Sequence, residues 1–368
     1  MTLVLAGPVG GPDVEGSPHP FGGPHHAAGL HEAPLHPERP QRIDAVMQGV
    51  ADLHLGSDLE LVEPVRPSHD DLSRAHTDAY LHELEGFARR GGGQLDPDTY
   101  VTQGSWEAAQ AAAGAGLAAV EALRRRGEGV GFAVARPPGH HAEAGRGMGF
   151  CLLNNVAIVA AALASQGERV AVVDWDVHHG NGTQEIFWDD PRVLYVSTHQ
   201  WPLYPGTGRP SEVGGARALG ATLNVPVPPG ATGDVLRTAF DDLVSPTVEA
   251  FAPSWVLVSC GFDAHRSDPL ASLELTAGDF GALALCVAAL VPSGGRLVLF
   301  LEGGYDLRAV RRSTAATVAA LLGDPAAADL GAGGGPEAPS SGGPGIAALH
   351  ADALARSRAI EAAGEAKG

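Results

Sequence analysis

The chain has 368 residues, enough for one large α/β domain or two ordinary ones. Hydrophobic residues make up 44% of the chain and charged residues 18%, proportions typical of a soluble globular protein with a substantial core. The excess of 43 acidic over 24 basic residues gives a formal charge of -19, which would repel nucleic-acid phosphates and excludes nucleic acid as an expected partner. A cationic or basic substrate is compatible with the same charge.

No segment of the sequence predicts export or membrane insertion. The start, Met1–Ala6, lacks the basic region and the long apolar core of a signal peptide. No apolar run is long enough for a membrane span, because Gly or charged residues interrupt the Ala-rich stretches. The three cysteines, which lie in apolar stretches without a CxxC spacing, are typical of reduced core residues: Cys151, Cys260 and Cys286. We therefore expect a cytoplasmic protein with no membrane partner.

A Gly- and Pro-rich opening, about residues 7–37, predicts an irregular loop whose five histidines lie mostly in solvent. Further along, short β-branched runs alternate with longer Ala- and Leu-rich segments. The short runs predict buried strands at Val130–Val134, Val170–Val173, Val193–Val196, Trp255–Val258 and Arg296–Leu301. The longer segments predict helices at Ser105–Arg126, from Thr276 to about Leu290, and from Asp306 to Leu322. This alternation predicts an α/β fold in which helices cover both faces of a parallel sheet.

The sequence contains no internal repeat and no domain boundary before about Asp324. From there the composition shifts to Gly, Ala, Pro and Ser through about Pro344, which predicts a linker or a long loop. A helical pattern then returns. We therefore predict one domain over residues 1–323, a linker or loop over 324–344, and a C-terminal helix over 345–368 that packs on the domain.

The most informative segment is Asp174–Thr183, which directly follows the predicted strand Val170–Val173. Open α/β sheets bind their ligands at the carboxyl ends of the strands. Because side chains alternate along an extended chain, Asp174, Asp176 and His178 would share one face. One Asp and one His on that face could hold a divalent metal, with the other Asp behind them. The competing interpretation is a solvated polar turn that caps the following helix.

Four more segments bring polar or aromatic side chains to the ends of predicted strands or to a nearby Gly-rich turn. A His-His pair could supply a general base and an electrostatic partner, and a tyrosine after two glycines offers a phenol. Singly, such residues are common in turns, surfaces and helix caps. Together, in one parallel-sheet chain, they predict a catalytic site. The segments are Arg136–Glu143, Gly145–Cys151, Ser259–Asp263 and Glu302–Tyr305.

With these motifs the chain resembles the histone deacetylase superfamily, which also includes acetylpolyamine amidohydrolases and bacterial acetoin-utilisation proteins. The resemblance extends from His36–Arg42 to Tyr305 and rests on a specific set of motifs: Arg-Pro-Pro-Gly-His-His, Asp-x-Asp-Val-His-His-Gly-Asn-Gly-Thr, and the later Asp and Tyr. It implies an arginase-like α/β fold around a mostly parallel eight-stranded sheet. It also implies a zinc-dependent enzyme that hydrolyses acetyl-amine amides.

By position, the resemblance implies that Asp176, His178 and Asp263 bind one zinc ion per chain. Two carboxylates and one neutral imidazole balance the charge of Zn²⁺ and leave room for a water molecule and a substrate carbonyl. The family also binds structural potassium close to the strand that ends at Asp174. Ser197 is a candidate for that potassium site by resemblance alone.

The resemblance implies roles for five further residues in catalysis. His141 would be the general base, and then the acid that protonates the leaving amine. His140, hydrogen-bonded to Asp174, would stabilise developing negative charge, and Tyr305 would donate a hydrogen bond to the acetyl oxygen. Asn181 would be the partner of His141. Asn at this position is the class II pattern, and a neutral partner lowers the proton affinity of the histidine relative to an Asp partner.

Substrate contacts are implied at five positions. Gly149 and Phe150 would form one wall of an acyl-lysine tunnel and Tyr204 the other. Leu270 matches a tunnel-mouth position that is acidic in one polyamine-preferring branch, so a leucine favours acyl-lysine or an uncharged chain. Asp98 aligns with a rim Asp that holds the substrate backbone, and a simple turn residue is the equal alternative.

The predicted function is therefore hydrolysis of acetyl or similar short acyl groups from lysine side chains or related amines. Acetylated lysine peptides, acetylated proteins and acetylated polyamines are the candidate substrates, and an oligomer is compatible with the sequence. Three alternatives are an acetylpolyamine amidohydrolase, an arginase-type ureohydrolase with two manganese ions, and a non-catalytic protein that binds or senses acyl amines. The arginase alternative lacks the second bridging set of Asp and His ligands, and the non-catalytic one conflicts with the filled catalytic positions.

Overall fold

The computed structural model describes residues 1–7, 36–291, 296–323 and 337–365. Its strands are β1 (Leu3–Ala6), β2 (Leu59–Val62), β3 (Gly93–Gln94), β4 (Tyr100–Val101), β5 (Val130–Ala133), β6 (Val170–Asp174), β7 (Val193–Gln200), β8 (Thr222–Val227), β9 (Trp255–Cys260) and β10 (Leu297–Leu301). Eight of them form one sheet in the order β2-β1-β5-β10-β9-β6-β7-β8, and β3 and β4 form a separate antiparallel pair. Every pairing described within the large sheet is parallel.

Helices connect the strands. They are α1 (Gln41–Ala51), α2 (His69–Ser73), α3 (Asp78–Arg89), α4 (Ser105–Arg126), α5 (Asn155–Ser165), α6 (Asn181–Ile186), α7 (Gly233–Ala239), α8 (Ser245–Phe251), α9 (Ala277–Ala289), α10 (Leu307–Leu321) and α11 (Ile346–Glu365). A short 3₁₀ turn spans Gly56–Asp58, and a π-helical turn, Phe240–Val244, joins α7 to α8. Among the described residues, no helix combines the length and the apolar character that a membrane crossing requires.

Hydrophobic side chains on both faces of the sheet pack against helices. In β6, Ala171 and Val173 belong to one core layer, whereas Val170 and Val172 belong to the other, as the alternation of a strand requires. The first layer is covered by α1, α7, α9 and α10, and the second by α3, α4 and α5. This arrangement confirms the predicted arginase-like α/β fold with a parallel eight-stranded sheet.

The predicted elements all occur, with bounds that shift by a few residues. The helix predicted at Ser105–Arg126 has those bounds and ends at Gly127, whose φ of 75° is left-handed and suits glycine. At the start of α9, the Asp279 carboxylate accepts a hydrogen bond from the backbone N–H of the capping residue, Thr276, at 2.9 Å. Before α10, Asp306 accepts the N–H of Ala309 at 2.8 Å.

The C-terminal part of the described chain contacts the rest of the molecule. Ser340 donates its hydroxyl to Asp279 at 2.6 Å, and Gly343 donates its N–H to Thr232 at 2.8 Å. In α11, Leu349 is buried. Two predicted segments lie largely outside the described residues. They are most of the opening loop of residues 7–37, and residues 324–336 of the linker. The division into a domain, a linker and a terminal helix stays a prediction.

The parallel sheet fixes the position of the candidate site. All eight strands end at one edge, so the segments that follow β5, β6, β7, β9 and β10 leave the sheet side by side. In the pairing register, Asp174 at the end of β6 lies opposite Ser197 of β7 and Ser259 of β9. The motifs of the sequence therefore meet at the carboxyl edge, where parallel sheets bind ligands.

Candidate metal centre and active site

Asp176, His178 and Asp263 form one buried cluster at this edge. The segments that carry them follow β6 and β9, which are neighbours in the sheet. One ligand atom from each side chain lies within 4.8 Å of the other two. The Nδ1 atom of His178 lies 3.1 Å from Asp176 Oδ1 and 3.2 Å from Asp263 Oδ2. The structure thus brings the three predicted zinc ligands together.

Two glycines leave the space that the carboxylates occupy. A Cβ atom at Gly261 would lie 2.0 Å from Asp176 Oδ2, and one at Gly303 would lie 1.9 Å from Asp263 Oδ2. Backbone donors hold both carboxylates, because Gly303 donates its N–H to Asp176 Oδ2 at 2.7 Å and Val177 donates to Asp263 Oδ1 at 2.9 Å. The surrounding chain is therefore shaped around a pair of buried, oriented carboxylates.

The electrostatics of the cluster favour a cation. Burial raises the pKa of Asp263, and the charge of Asp176 raises it further. Burial opposes ionisation of Asp176 too, but the charge of His140 and hydrogen bonds from His178 hold the pKa of Asp176 well below its usual range. Burial lowers the pKa of His178, yet hydrogen bonds to the two carboxylates raise it to about 10. Two oxygen ligands and one nitrogen ligand in such surroundings fit a divalent ion of the zinc type.

His140 lies between this cluster and Asp174. Its Nδ1 donates to Asp174 Oδ2 at 3.0 Å, and the hydroxyl of Tyr195 donates to the same oxygen at 3.1 Å. Burial lowers the pKa of His140, but the carboxylates of Asp176, Asp174 and Glu302 outweigh burial and raise this pKa to about 10. The surrounding carboxylates therefore favour the imidazolium form of His140, which places positive charge beside the ligand cluster.

The pKa of His141 is shifted in the opposite direction to that of His140. The Nδ1 atom of His141 lies 2.8 Å from the side-chain oxygen of Asn181, while the Asn181 nitrogen donates to Glu143 at 2.9 Å. An amide oxygen only accepts hydrogen bonds, so Nδ1 carries the proton and Nε2 carries the lone pair. Burial lowers the pKa of His141 well below its usual range, and the charges of His140 and His178 lower it further. A neutral imidazole of fixed tautomer suits a general base.

Tyr305 follows β10 through two glycines. Gly304 has a φ of 119°, a left-handed conformation that favours glycine. The backbone N–H of Tyr305 donates to Asp268 Oδ2 at 2.7 Å, and the Arg42 guanidinium lies 5.0 Å from the ring centroid. Burial raises the pKa of the Tyr305 phenol well above its usual range. The phenol therefore remains protonated and able to donate a hydrogen bond.

Aromatic rings flank the histidines. The Tyr204 ring lies edge-on to His141, with centroids 5.1 Å apart, and 6.3 Å from His178. Phe150 contacts Tyr305 at 5.9 Å, again edge-on. Gly149 packs against the His141 ring, since a Cβ atom there would lie 2.6 Å from the ring. The predicted tunnel residues at these three positions thus surround the histidines and the phenol.

Asp98 lies near Phe150, one of the predicted tunnel residues. Thr99 links the two residues, because its hydroxyl donates to Asp98 at 3.0 Å and accepts the N–H of Phe150 at 2.9 Å. The turn itself is held by Asp96, which accepts the N–H groups of Asp98 and Thr99. His36 also lies here, with its ring centroid 4.8 Å from that of Phe150. The Asp98 carboxylate is therefore not the group that caps the turn.

Asp268 connects Leu270 to the backbone of Tyr305. Leu270 is 37% exposed, and its backbone N–H donates to Asp268 Oδ1 at 3.0 Å. The other oxygen of that carboxylate holds the Tyr305 backbone. Burial raises the pKa of Asp268 to about 7. The motif Asp-Pro-Leu contains Asp268, but the sequence pattern does not reveal its link to Tyr305.

Two further residues that support the site were not predicted. Glu302 accepts the N–H groups of Gly139 at 2.7 Å and of His140 at 3.1 Å, and so holds the start of the His-His pair. Arg42 donates from Nε to the Gly304 carbonyl at 2.6 Å and from its terminal nitrogen to the Glu302 carbonyl. Both residues lie within the motifs quoted from the sequence. Their roles depend on contacts with the backbone, which residue types alone do not signal.

A family model described as the histone deacetylase domain matches residues 36–321. A protein named probable deacetylase from Archaeoglobus fulgidus is 40% identical over 297 residues, which cover 79% of this chain and 82% of that protein. A histone deacetylase-like amidohydrolase from Pseudomonas aeruginosa is 39% identical over 275 residues, which cover 73% of this chain and 72% of that protein.

A solved structure agrees with these sequence comparisons. The crystal structure of the HDA15 HD domain superposes with a TM-score of 0.78 at 34% sequence identity, covering 89% of this chain and 89% of that one. The fold, the family model and the sequence relatives thus indicate the same family. The chain belongs to the histone deacetylase family.

Proposed function

We propose that the protein is a zinc-dependent hydrolase that removes acetyl or similar short acyl groups from lysine side chains or related amines. Membership of a deacetylase family already supports a hydrolase that acts as a deacetylase. The observation that carries the proposal is the cluster of Asp176, His178 and Asp263 beside a neutral histidine, His141, and a protonated phenol, Tyr305. Metal ligands, a base and a hydrogen-bond donor are the parts that amide hydrolysis requires.

Asp176, His178 and Asp263 would hold the metal. A zinc ion held there would supply Lewis acidity toward a carbonyl oxygen and toward water. Their buried donor set fits one such ion, and it is the one group of three or more potential ligands found among the described residues. A two-manganese ureohydrolase would need a further set of bridging ligands.

His141 would move the proton. Its Nε2 would take a proton from the water molecule whose oxygen bonds to the acyl carbon, and would then give that proton to the leaving nitrogen as the carbon–nitrogen bond breaks. The products are a carboxylate and an amine. The hydrogen bond from Nδ1 to Asn181 keeps the ring in the tautomer that this transfer needs.

His140 and Tyr305 would stabilise negative charge on the acyl oxygen. The phenol would donate a hydrogen bond to that oxygen, as a donor in an oxyanion hole does. The imidazolium of His140, held by Asp174, contributes positive charge that is present before the reaction begins. In a buried site, fixed donors and charges need little reorganisation, which makes them effective.

Gly149, Phe150 and Tyr204 would form the walls that hold the acyl chain. Leu270 at the mouth favours acyl-lysine over a polyamine, because an apolar residue gives a second ammonium group no partner. Asp98 would bind the backbone of a peptide substrate at the rim. The charge of -19 on the chain suits basic peptides and polyamines alike. The cytoplasm is the expected location.

A structural potassium ion near Asp174 is a further part of the proposal. Ser197 is buried and lies opposite Asp174 in the pairing of β6 and β7. Its hydroxyl is 2.9 Å from the Nδ1 atom of His199. Comparison of thermal stability in potassium and in tetramethylammonium salts at equal ionic strength tests this site, because only potassium should raise the midpoint.

The test of function is a metal reconstitution assay on three substrates: an acetyl-lysine peptide, acetylputrescine and acetylspermidine. Chelator-treated protein should be inactive, and one equivalent of Zn²⁺ should restore hydrolysis of the peptide most strongly. Preference for either polyamine would favour the acetylpolyamine amidohydrolase. Failure of the zinc-loaded protein on all three substrates would contradict the proposal and favour a binding or sensing role. Two manganese ions per chain would favour the ureohydrolase.

A further inference from the structure

An open cavity lies at the opposite edge of the sheet from the candidate active site. Its volume is about 630 Å³, within the range of small-molecule sites. It is lined by residues just before β6, β7 and β8, by the helical turns around residues 242–251, and by α11. Because the strands are parallel, residues that precede them lie at the amino edge, whereas the metal ligands follow the carboxyl ends.

The charged lining of this amino-edge cavity is mainly basic. Of the described residues that line it, three are arginines, Arg169, Arg217 and Arg356, and one, Asp242, is acidic. Arg169 donates from Nε and a terminal nitrogen to the Phe251 carbonyl, at 3.0 and 2.7 Å. These bonds are to a neutral carbonyl, and among the described residues no carboxylate forms an ion pair with Arg169. Arg217 lies 4.0 Å from Asp189, so Arg169 and Arg356 are the lining arginines without an ion pair among the described residues.

Of the three arginines, Arg356 of α11 gives the strongest indication of a ligand. One terminal nitrogen donates to the Gly220 carbonyl at 2.9 Å, and the buried Nε has no hydrogen-bond partner among the described residues. Burial lowers the pKa of Arg356. By contrast, Arg311 forms a forked ion pair with Asp52, with both contacts at 2.7 Å. A buried donor without an acceptor destabilises the folded state, so an acceptor on a ligand would stabilise it.

Most of the remaining lining is apolar, with Thr247 and Ser357 as the polar exceptions. Leu194 and Leu223 come from the strands, Leu243 and Phe251 from the turns beside them, and Ile360 from α11. Leu194 and Leu223 are already buried in the core, whereas Leu243, Phe251 and Ile360 are partly exposed. A purely ionic ligand such as inorganic phosphate would leave these three side chains partly in contact with water. A ligand with an anionic head and an aliphatic tail would satisfy both parts of the surface.

We propose that the amino-edge cavity binds a small amphiphilic anion, a carboxylate or phosphate monoester with a short aliphatic chain, through Arg356 and its neighbouring arginines. Planar guanidinium groups bind both head groups through paired hydrogen bonds. Since Arg356 and Ile360 belong to α11, the ligand also joins this terminal helix to the amino edge of the sheet. Occupancy would therefore slow the opening of α11.

Titration calorimetry on the full-length protein tests the proposal, with octanoate, octyl phosphate, inorganic phosphate and octyltrimethylammonium as probes. Octanoate or octyl phosphate should bind at one site per chain, and the tighter of the two identifies the head group. Inorganic phosphate should bind at least tenfold more weakly than octyl phosphate. Equal binding of the cationic probe, or no binding of either octyl anion, would overturn the proposal.

Arg356→Gln should weaken binding of the octyl anion at least tenfold. The matched control is Arg358→Gln, which changes an exposed arginine of the same helix outside the cavity lining and should leave affinity unchanged. Equal losses in both variants would contradict a specific role of Arg356. If Arg356→Gln does not fold, amide exchange in the wild-type protein provides the test. The octyl anion must then slow exchange across α11, and unchanged exchange would contradict the proposal.

Discussion

The side-chain oxygen of Asn181 lies 2.8 Å from Nδ1 of His141, while the Asn181 nitrogen donates to Glu143. The bond to Glu143 orients the amide, because exchange of its oxygen and nitrogen would set the amide oxygen against the Glu143 carboxylate. The partner of the proposed base is therefore neutral, and the pKa of His141 stays low. This relationship leads to the first prediction.

Asn181→Asp should raise the pKa of His141, because a carboxylate favours the imidazolium form. His141 must be neutral to accept a proton, so the acidic limb of the kcat/KM profile should move to higher pH. The profile for an acetyl-lysine peptide, measured from pH 5 to 9, checks this expectation. An acidic limb that stays in place would show that Asn181 does not set the proton affinity of His141.

Tyr305→Phe removes the phenol that would donate to the acyl oxygen and keeps the ring. Turnover should fall by a factor of about 10² to 10³, the range for loss of one such donor. Zinc content and the thermal midpoint should be unchanged, since neither depends on the hydroxyl. Tyr204→Phe is the matched control, because it removes the phenol hydroxyl of a ring that contacts His141 and keeps the tunnel wall. It should retain most of the activity, and equal losses in the two variants would contradict the role assigned to Tyr305.

Gly261→Ala tests the space around the proposed ligands. The added Cβ atom would lie 2.0 Å from Asp176 Oδ2, so the carboxylate must move. Zinc content measured by mass spectrometry should fall sharply, and activity should fall with it. Gly104→Ala serves as the control, because no atom outside its immediate chain neighbours lies within 4 Å of a Cβ there. Full zinc occupancy in Gly261→Ala would exclude Asp176 as a ligand.

The buried His76 leads to a prediction of how the free energy of unfolding depends on pH. Its Nδ1 donates to the Glu143 carbonyl at 3.0 Å, and its Nε2 accepts the N–H of Asn154 at 2.9 Å, so the buried ring is held neutral. Burial lowers the pKa of His76 from 6.5 to about 4. Between these values the unfolded chain binds more protons than the folded protein, so the stabilisation is complete above pH 6.5 and is lost as the pH falls.

The loss should reach about 3 kcal/mol by pH 4, since each pKa unit corresponds to about 1.4 kcal/mol. His76→Gln keeps a donor and an acceptor but does not titrate. Urea unfolding of both proteins between pH 4 and 7.5 checks the difference. The variant should be less stable at neutral pH and should have a shallower pH dependence, and parallel curves would contradict the assignment.

The metal cluster was predictable because the residues that form it directly follow strands with strong apolar patterns. Val170–Val173 marks a strand by composition alone, and a parallel sheet then brings Asp176 and His178 close to the residues after β9. The strand β8 was not predicted, because Asn224 and Pro226 interrupt its β-branched pattern. The strands β1 and β2 were not predicted either, since each contains a single β-branched residue, Val4 and Val62 respectively.

The support of the site was less predictable than its ligands. Glu302 acts on backbone N–H groups 163 and 162 residues away, and every residue other than proline has such a donor. No spacing or residue type therefore marks its partners in advance. The resemblance to deacetylases supplied the roles of His140, His141 and Tyr305. The motif alone left open whether Asp174 or Asp176 was the ligand.

Asp268 connects the proposed mouth of the site to the backbone of Tyr305. One of its oxygens holds the backbone of Leu270 at the proposed mouth, and the other holds the backbone of Tyr305. A change in the mouth that shifts this loop should therefore also shift the backbone of Tyr305. If the proposed function holds, substrate preference and turnover should therefore change together when this loop is altered. A lineage that adapts the entrance to a new amine would need compensating changes near Asp268 to keep its rate.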